Sequence, residues 1–98
     1  MTKYLIYNSP HPIYGGKCLV YRFPNLYGAC VNRHQKSQGG IEGFWEVTLI
    51  KFTGEGNRFA LHHHEQISPN PQGYLFIDEV YRLLCDIEKL EPVADKAQ

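Results

Sequence analysis

His62-His63-His64 is the densest run of chemistry-bearing side chains in the sequence. Residues two apart on a strand point to the same side. His62 and His64 would then stand about 7 Å apart at Cα, given the strand rise. Two imidazoles so placed can hold two corners of a zinc or other transition-metal site. Further ligands would have to come from Cys18, Cys30, His34 or Cys85. The Cys30-x3-His34 spacing is compatible with a metal but unspecific, and no second spaced pair completes a ligand set. The plain expectation is therefore no cofactor and a polar strand end. A metal-binding enzyme or sensor centred on His62 and His64 is the alternative.

The second constellation is cationic and phenolic. Lys3, Lys17, Arg22, Arg33 and Lys36 all precede Glu42, the first carboxylate of the chain. Five of the seven tyrosines, Tyr4, Tyr7, Tyr14, Tyr21 and Tyr27, share that stretch. Basic residues interleaved with aromatic ones can hold phosphates while rings stack on bases. They can equally dock an acidic protein surface, where Tyr and Arg are favoured anchors. The candidate partner-binding set is Lys3, Tyr7, Tyr14, Lys17, Tyr21, Arg22, Arg33 and Lys36. Residues 59–98 have the opposite sign, with three bases against seven acids, a net charge of −4. A solvated acidic helix face is the plain reading of that excess.

Enzyme signatures are lacking. There is no phosphate-binding loop, no dinucleotide fingerprint, no HExxH and no G-x-S-x-G elbow. Cys30 with His34 or His63 could be written as a nucleophile and its base, but the spacing adds nothing, and a buried inert thiol is the simpler reading. The expected function is that of a small non-catalytic binding module acting through a protein partner, as an accessory regulator or inhibitor of a larger complex. Nucleic-acid binding through the 1–41 surface is the alternative on the same residues. The overall balance of ten bases and ten acids weakens it.

The elements that must position these groups follow from pattern. Ninety-eight residues allow one domain, drawn here as 1–92 with a frayed tail over 93–98. At 43% hydrophobic and 13% aromatic the chain has material for a core. No apolar run approaches the ~20 residues of a membrane-spanning helix, so no membrane partner is expected. Met1-Thr2-Lys3 opens no apolar signal region. Three cysteines without CxxC spacing read as reduced thiols and a cytoplasmic protein. A homo-oligomer is compatible with a small sheet that leaves one face bare.

Lys3–Asn8, Lys17–Phe23, Tyr27–Arg33, Phe44–Thr53 and Arg58–Glu65 read as strands. Tyr27–Arg33 is the weakest, because Gly28 and Ala29 offer little to pack. Ser9-Pro10-His11-Pro12 is expected to stop the first strand. Gln35–Gly43 is polar, Gly-rich and reads as a mobile loop. Ser68–Gly73 reads as a rigid connector. Glycines in Gly54-Glu55-Gly56-Asn57 suit a hairpin turn. With Thr53 facing Arg58, paired positions sum to 111, which sets Glu46 against Glu65.

From Ile77 the apolar residues fall at Ile77, Val80, Tyr81, Leu84, Ile87 and Leu90, a helical stripe that omits Leu83. Asp78 and Glu79 suit the helix start, and Pro92 lies just beyond the helix and stops it. The fold class is α+β: a small antiparallel sheet of about five strands with one C-terminal amphipathic helix on one face.

Overall fold

Short turns between consecutive strands leave an antiparallel meander as the simplest arrangement. The computed structural model, which describes residues 2–92, has that form. A 3₁₀ turn at Thr2–Tyr4 leads into β1 (Leu5–His11), β2 (Gly15–Arg22), β3 (Tyr27–Arg33), β4 (Trp45–Phe52), β5 (Phe59–Leu61), β6 (Gln72–Leu75) and α1 (Ile77–Glu88). The sheet order is β1-β2-β3-β4-β5, and β6 also pairs with β4. The domain is α+β, with α1 lying on β3 and β4. The tail expected over 93–98 lies outside the described residues.

Strand alternation sorts side chains to two faces. Tyr21, Phe23, Tyr27, Ala29, Val31, Val47 and Leu49 form the main core with Val80, Leu83, Leu84 and Ile87 of α1. Val20, Ile50 and Phe52 form a smaller cluster on the other face. The helix turns slightly from its expected stripe. Leu83 is buried, whereas Ile77 and Tyr81 are 47% and 51% exposed. The sets 77/80/81/84 and 80/83/84/87 obey the same spacing, and packing against β3 and β4 selects the second.

Two stop signals act differently from expectation. β1 continues through Ser9 and Pro10 to His11. It is an edge strand, and its register slips between Ser9 and His11, so Pro10 occupies an irregularity in the ladder. The connector at 68–73 gives way to a sixth strand, where Trp45 faces Leu75 and Val47 faces Gln72.

The hairpin keeps its expected register but is short. Phe52 pairs with Phe59, Lys51 with Ala60 and Ile50 with Leu61, each summing to 111. Gly54 and Gly56 take φ of 94° and 58° in the turn. Beyond Leu61 one further backbone bond persists, from the His62 amide to the Leu49 carbonyl at 3.3 Å, and one side chain then replaces the ladder. The Asn70 Oδ1 accepts from the Leu49 amide at 2.8 Å, while its Nδ2 donates to the carbonyls of Leu49 and His62. His63–Glu65 therefore leave the sheet, and β6 takes the rest of the β4 edge. Glu46 does not meet Glu65. It stands across from Asn32 of β3, and its Oε2 accepts from the Gln38 amide.

The 34–44 segment is a succession of hydrogen-bonded turns. Amides of Ser37, Gly40 and Gly43 donate to carbonyls of His34, Ser37 and Gly40, and Phe44 closes back on Gly39.

Candidate functional site

The cations of the first forty residues divide between two ends and two faces of the sheet. Lys17 pairs with Arg33 where β2 begins and β3 ends. Lys36 follows in the adjoining turns. Tyr14 lies in the β1–β2 turn at the same end, its ring 4.9 Å from His11 and 5.3 Å from His34. These four of the eight expected residues come together. Lys3 sits at the opposite end, over the Tyr4 ring at 5.1 Å. Arg22 is also there, on the face away from α1, where its Nη1 donates to the Gly56 carbonyl and to Asn57 Oδ1 and its guanidinium lies over Phe52. Tyr7 is on that face too and donates its hydroxyl to the Pro10 carbonyl. Tyr21 is only 6% exposed, in the core beneath α1, and what it does expose lines the groove next to Lys17. Burial and the neighbouring Tyr81 push its phenol upward in pKa.

On the α1 side, the Lys17–Arg33 end opens into a groove of about 240 Å³. Leu19, Val31 and Val80 form its apolar floor. Trp45 lies on one side, and Ile77 and Tyr81 of α1 on the other. Lys17 stands at the mouth. The Arg33 guanidinium stacks on Trp45 at 4.5 Å, which holds the cation beside the same opening. No described carboxylate lines the groove. Trp45, Ile77 and Tyr81 were not legible as site residues. Their spacing reads as core, and only their exposure in the fold separates them from it.

His62 and His64 both pack against the buried Tyr27 ring, at centroid distances of 5.5 and 5.7 Å. Among the described residues no cluster of three His, Cys, Asp or Glu forms a metal set. Cys18 and Cys30, named above as further ligands, share the face with Val20, away from Tyr27. The His64 Nδ1 accepts from the Gln66 amide at 3.1 Å. Its neutral ring therefore carries the proton on Nε2, and that nitrogen has no lone pair for a metal while the turn is intact. Burial pushes the Cys30 thiol up to about 12, which leaves almost no thiolate near neutral pH.

Three histidines do the same local work. His11 Nδ1 accepts from the amides of Ile13 and Tyr14, and His34 Nδ1 from that of Lys36, as His64 does for Gln66. Protonation of His34 at Nδ1 would turn that acceptor into a donor aimed at the Lys36 N–H. Burial and the neighbouring His11 lower the His34 pKa from its ordinary 6.5, against an opposing pull from Glu46. Burial lowers that of His62, helped by Lys51, His64 and His63. A lowered folded pKa means that the unfolded chain takes up protons first as pH falls. Stability is thus full above about pH 6.5 and declines below it toward the folded values. The expected outcome is a Tm that falls between pH 7 and pH 5. His34→Asn, which keeps an acceptor without titrating, should make that decline shallower. A Tm constant over the range would contradict this account.

Searches of protein-family models, curated proteins and solved structures find no match to this chain.

Proposed function

We propose that this protein is a non-catalytic binding module whose groove between α1 and β1–β4 receives an apolar side chain from an acidic surface of a protein partner. The observation that carries the reading is the pairing of an apolar floor with two cations at one mouth, Lys17 and the Trp45-stacked Arg33. Exposed aromatic and Arg groups around a small pocket are the usual anchors of protein interfaces. Among the described residues neither cation is engaged by a carboxylate within the groove, so both are available to one from outside. Regulation or inhibition of a larger complex is the role such a module would serve. Its three free thiols suit a reducing compartment.

Affinity purification from the native cell tests this. Wild-type protein is expected to retain one stoichiometric protein. Lys17→Glu combined with Arg33→Glu should weaken that complex by about 100-fold, at roughly tenfold per close charge contact reversed. Arg22→Glu, at the far end and on the other face, should leave it intact. Equal retention by the double variant overturns the groove as the docking site. A retained species lost on nuclease treatment would point to nucleic acid instead.

A further inference from the structure

The two segments that flank the far side of β4 carry no Lys or Arg over residues 37–50 and 59–81, and they hold Glu42, Glu46, Glu65, Asp78 and Glu79. They also display three contiguous rings. Phe44 is 6.0 Å from Tyr74 and 5.2 Å from Phe76 between centroids. Tyr74 is 60% exposed and Phe76 62%. Leu75, between them, packs against the main core, so the two rings stand clear of it at the corner where β6 gives way to α1.

Both exposed rings stand where the backbone favours other residues. Tyr74 has φ 57°, a left-handed conformation natural to Gly or Asn and costly for a bulky aromatic residue. Phe76 is the N-cap of α1 and makes no side-chain cap hydrogen bond, where Ser, Thr, Asp or Asn would accept one. Local rules broken at two positions by exposed rings mark a surface kept for contact rather than for folding. The arrangement is also held in place. A methyl group on Gly39 would fall 2.9 Å from Phe44 Cβ and 2.9 Å from the Tyr74 ring, so the loop lies flat against both.

Two carboxylates are fixed beside the rings. Glu79 Oε1 accepts from the Phe76 amide at 2.8 Å. Glu46 Oε2 accepts from the Gln38 amide at 3.3 Å, and the Gln38 carbonyl accepts from the Tyr74 amide. Each leaves its second oxygen for another donor. Arg82, one turn along α1 from Glu79, is the nearest cation on the helix. A guanidinium can stack on an aromatic face while its fork binds a carboxylate, which an ammonium does less well.

We propose that Phe44, Tyr74 and Phe76, with Glu46 and Glu79, form a second docking surface that receives an arginine-bearing segment of a partner protein. The chain then joins an acidic partner at the groove to a basic one at the β6–α1 corner.

The test uses the full chain and three synthetic peptides of alternating Gly with Arg, Lys or Glu, followed by NMR. The Arg peptide is expected to shift the ring resonances of Phe44, Tyr74 and Phe76, to bind more tightly than the Lys peptide, and the Glu peptide to leave these rings unchanged. Phe76→Ser and Tyr74→Asn should each weaken Arg-peptide binding by roughly fivefold or more. Because both replace a disfavoured residue with a favoured one, neither should lower Tm. Lys17→Glu with Arg33→Glu should not weaken it, which separates this surface from the groove. The proposal is overturned by absent binding, by shifts mapping elsewhere, or by equal Arg and Lys affinities that persist in both variants. A marked drop in Tm would make the rings structural and overturn it too. So would a concentration-dependent dimer abolished by Phe76→Ser, since the surface would then serve a second copy of the chain.

Discussion

Asn25→Ala should destabilise the protein by about 2–4 kcal/mol, with a fall in Tm of roughly 10–30 °C. Asn25 lies in the β2–β3 turn and is 7% exposed. Its Nδ2 donates to the carbonyls of Ile87, Glu88 and Leu90 at 3.0, 3.1 and 3.0 Å. Its Oδ1 accepts from the Tyr27 amide at 3.0 Å. A helix end leaves its last carbonyls without partners inside the helix, and here one amide from a distant turn supplies them. Alanine removes the donor to the Glu88 and Leu90 carbonyls and the partner of the Tyr27 N–H, while the Ile87 carbonyl keeps the Leu90 amide. Asn25→Asp has the same shape but no donor, and it sets a negative charge at the negative end of α1. It should be worse than alanine at neutral pH. Its folded pKa would lie above the unfolded one, so its deficit relative to wild type should narrow on acidification as the carboxyl gains a proton to donate. Urea unfolding at pH 7 and pH 5 measures both effects. A loss below 1 kcal/mol for Asn25→Ala would show that water can replace the clamp.

Gly28→Ala is the other large effect, at about 3 kcal/mol or more. Gly28 pairs with Arg22 on one side and Ile50 on the other, in the middle of the sheet. A methyl group there would overlap the Tyr21 carbonyl oxygen and stand 2.6 Å from the Phe52 ring. The ring lies across the bare glycine, with the Arg22 guanidinium 5.0 Å from its centroid. Neither obstacle is the free end of a flexible chain, because one is backbone and the other is a ring that is almost fully buried. Phe52→Leu removes the second obstacle and not the first. The double variant Gly28→Ala with Phe52→Leu should therefore cost less than the sum of the singles while remaining well below wild type. Full additivity would mean that the ring is not what excludes the methyl group.

Gly28 also shows how a correct local reading can mislead. Small residues in Tyr27–Arg33 suggest a weak strand, yet β3 is central and nearly buried. Gly28 makes room for Phe52, and Ala29, fully buried, makes room within the main core. Smallness at Gly28 records what closes on it from the neighbouring strands, the Tyr21 carbonyl and a Phe52 ring twenty-four residues away in the chain. Leu83 is a milder case, since two helical stripes of equal regularity were open to α1 and the facing strands chose between them.

The candidate site was legible in part for the same reason. Lys17 and Arg33 are visible as cations, and the order of strands makes them neighbours. Whether Lys3, Arg22 and Tyr7 join them depends on which end and which face each occupies, and these differ. The exposed rings at Tyr74 and Phe76 give no sign in composition. They stand out only when the φ of one and the capping position of the other are known.

Period-two alternation, helical spacing, turn glycines and first-turn acids act between near neighbours. They were enough to determine an antiparallel sheet with a C-terminal helix and the register of the β4–β5 hairpin, but not the order of the strands. Where β5 ends, how Asn70 and β6 divide the remaining edge of β4, and which cations share a groove depend on space that distant segments compete to fill. Only the assembled fold decides such competition, because its energy lies in close packing and in buried hydrogen bonds between residues far apart in the chain.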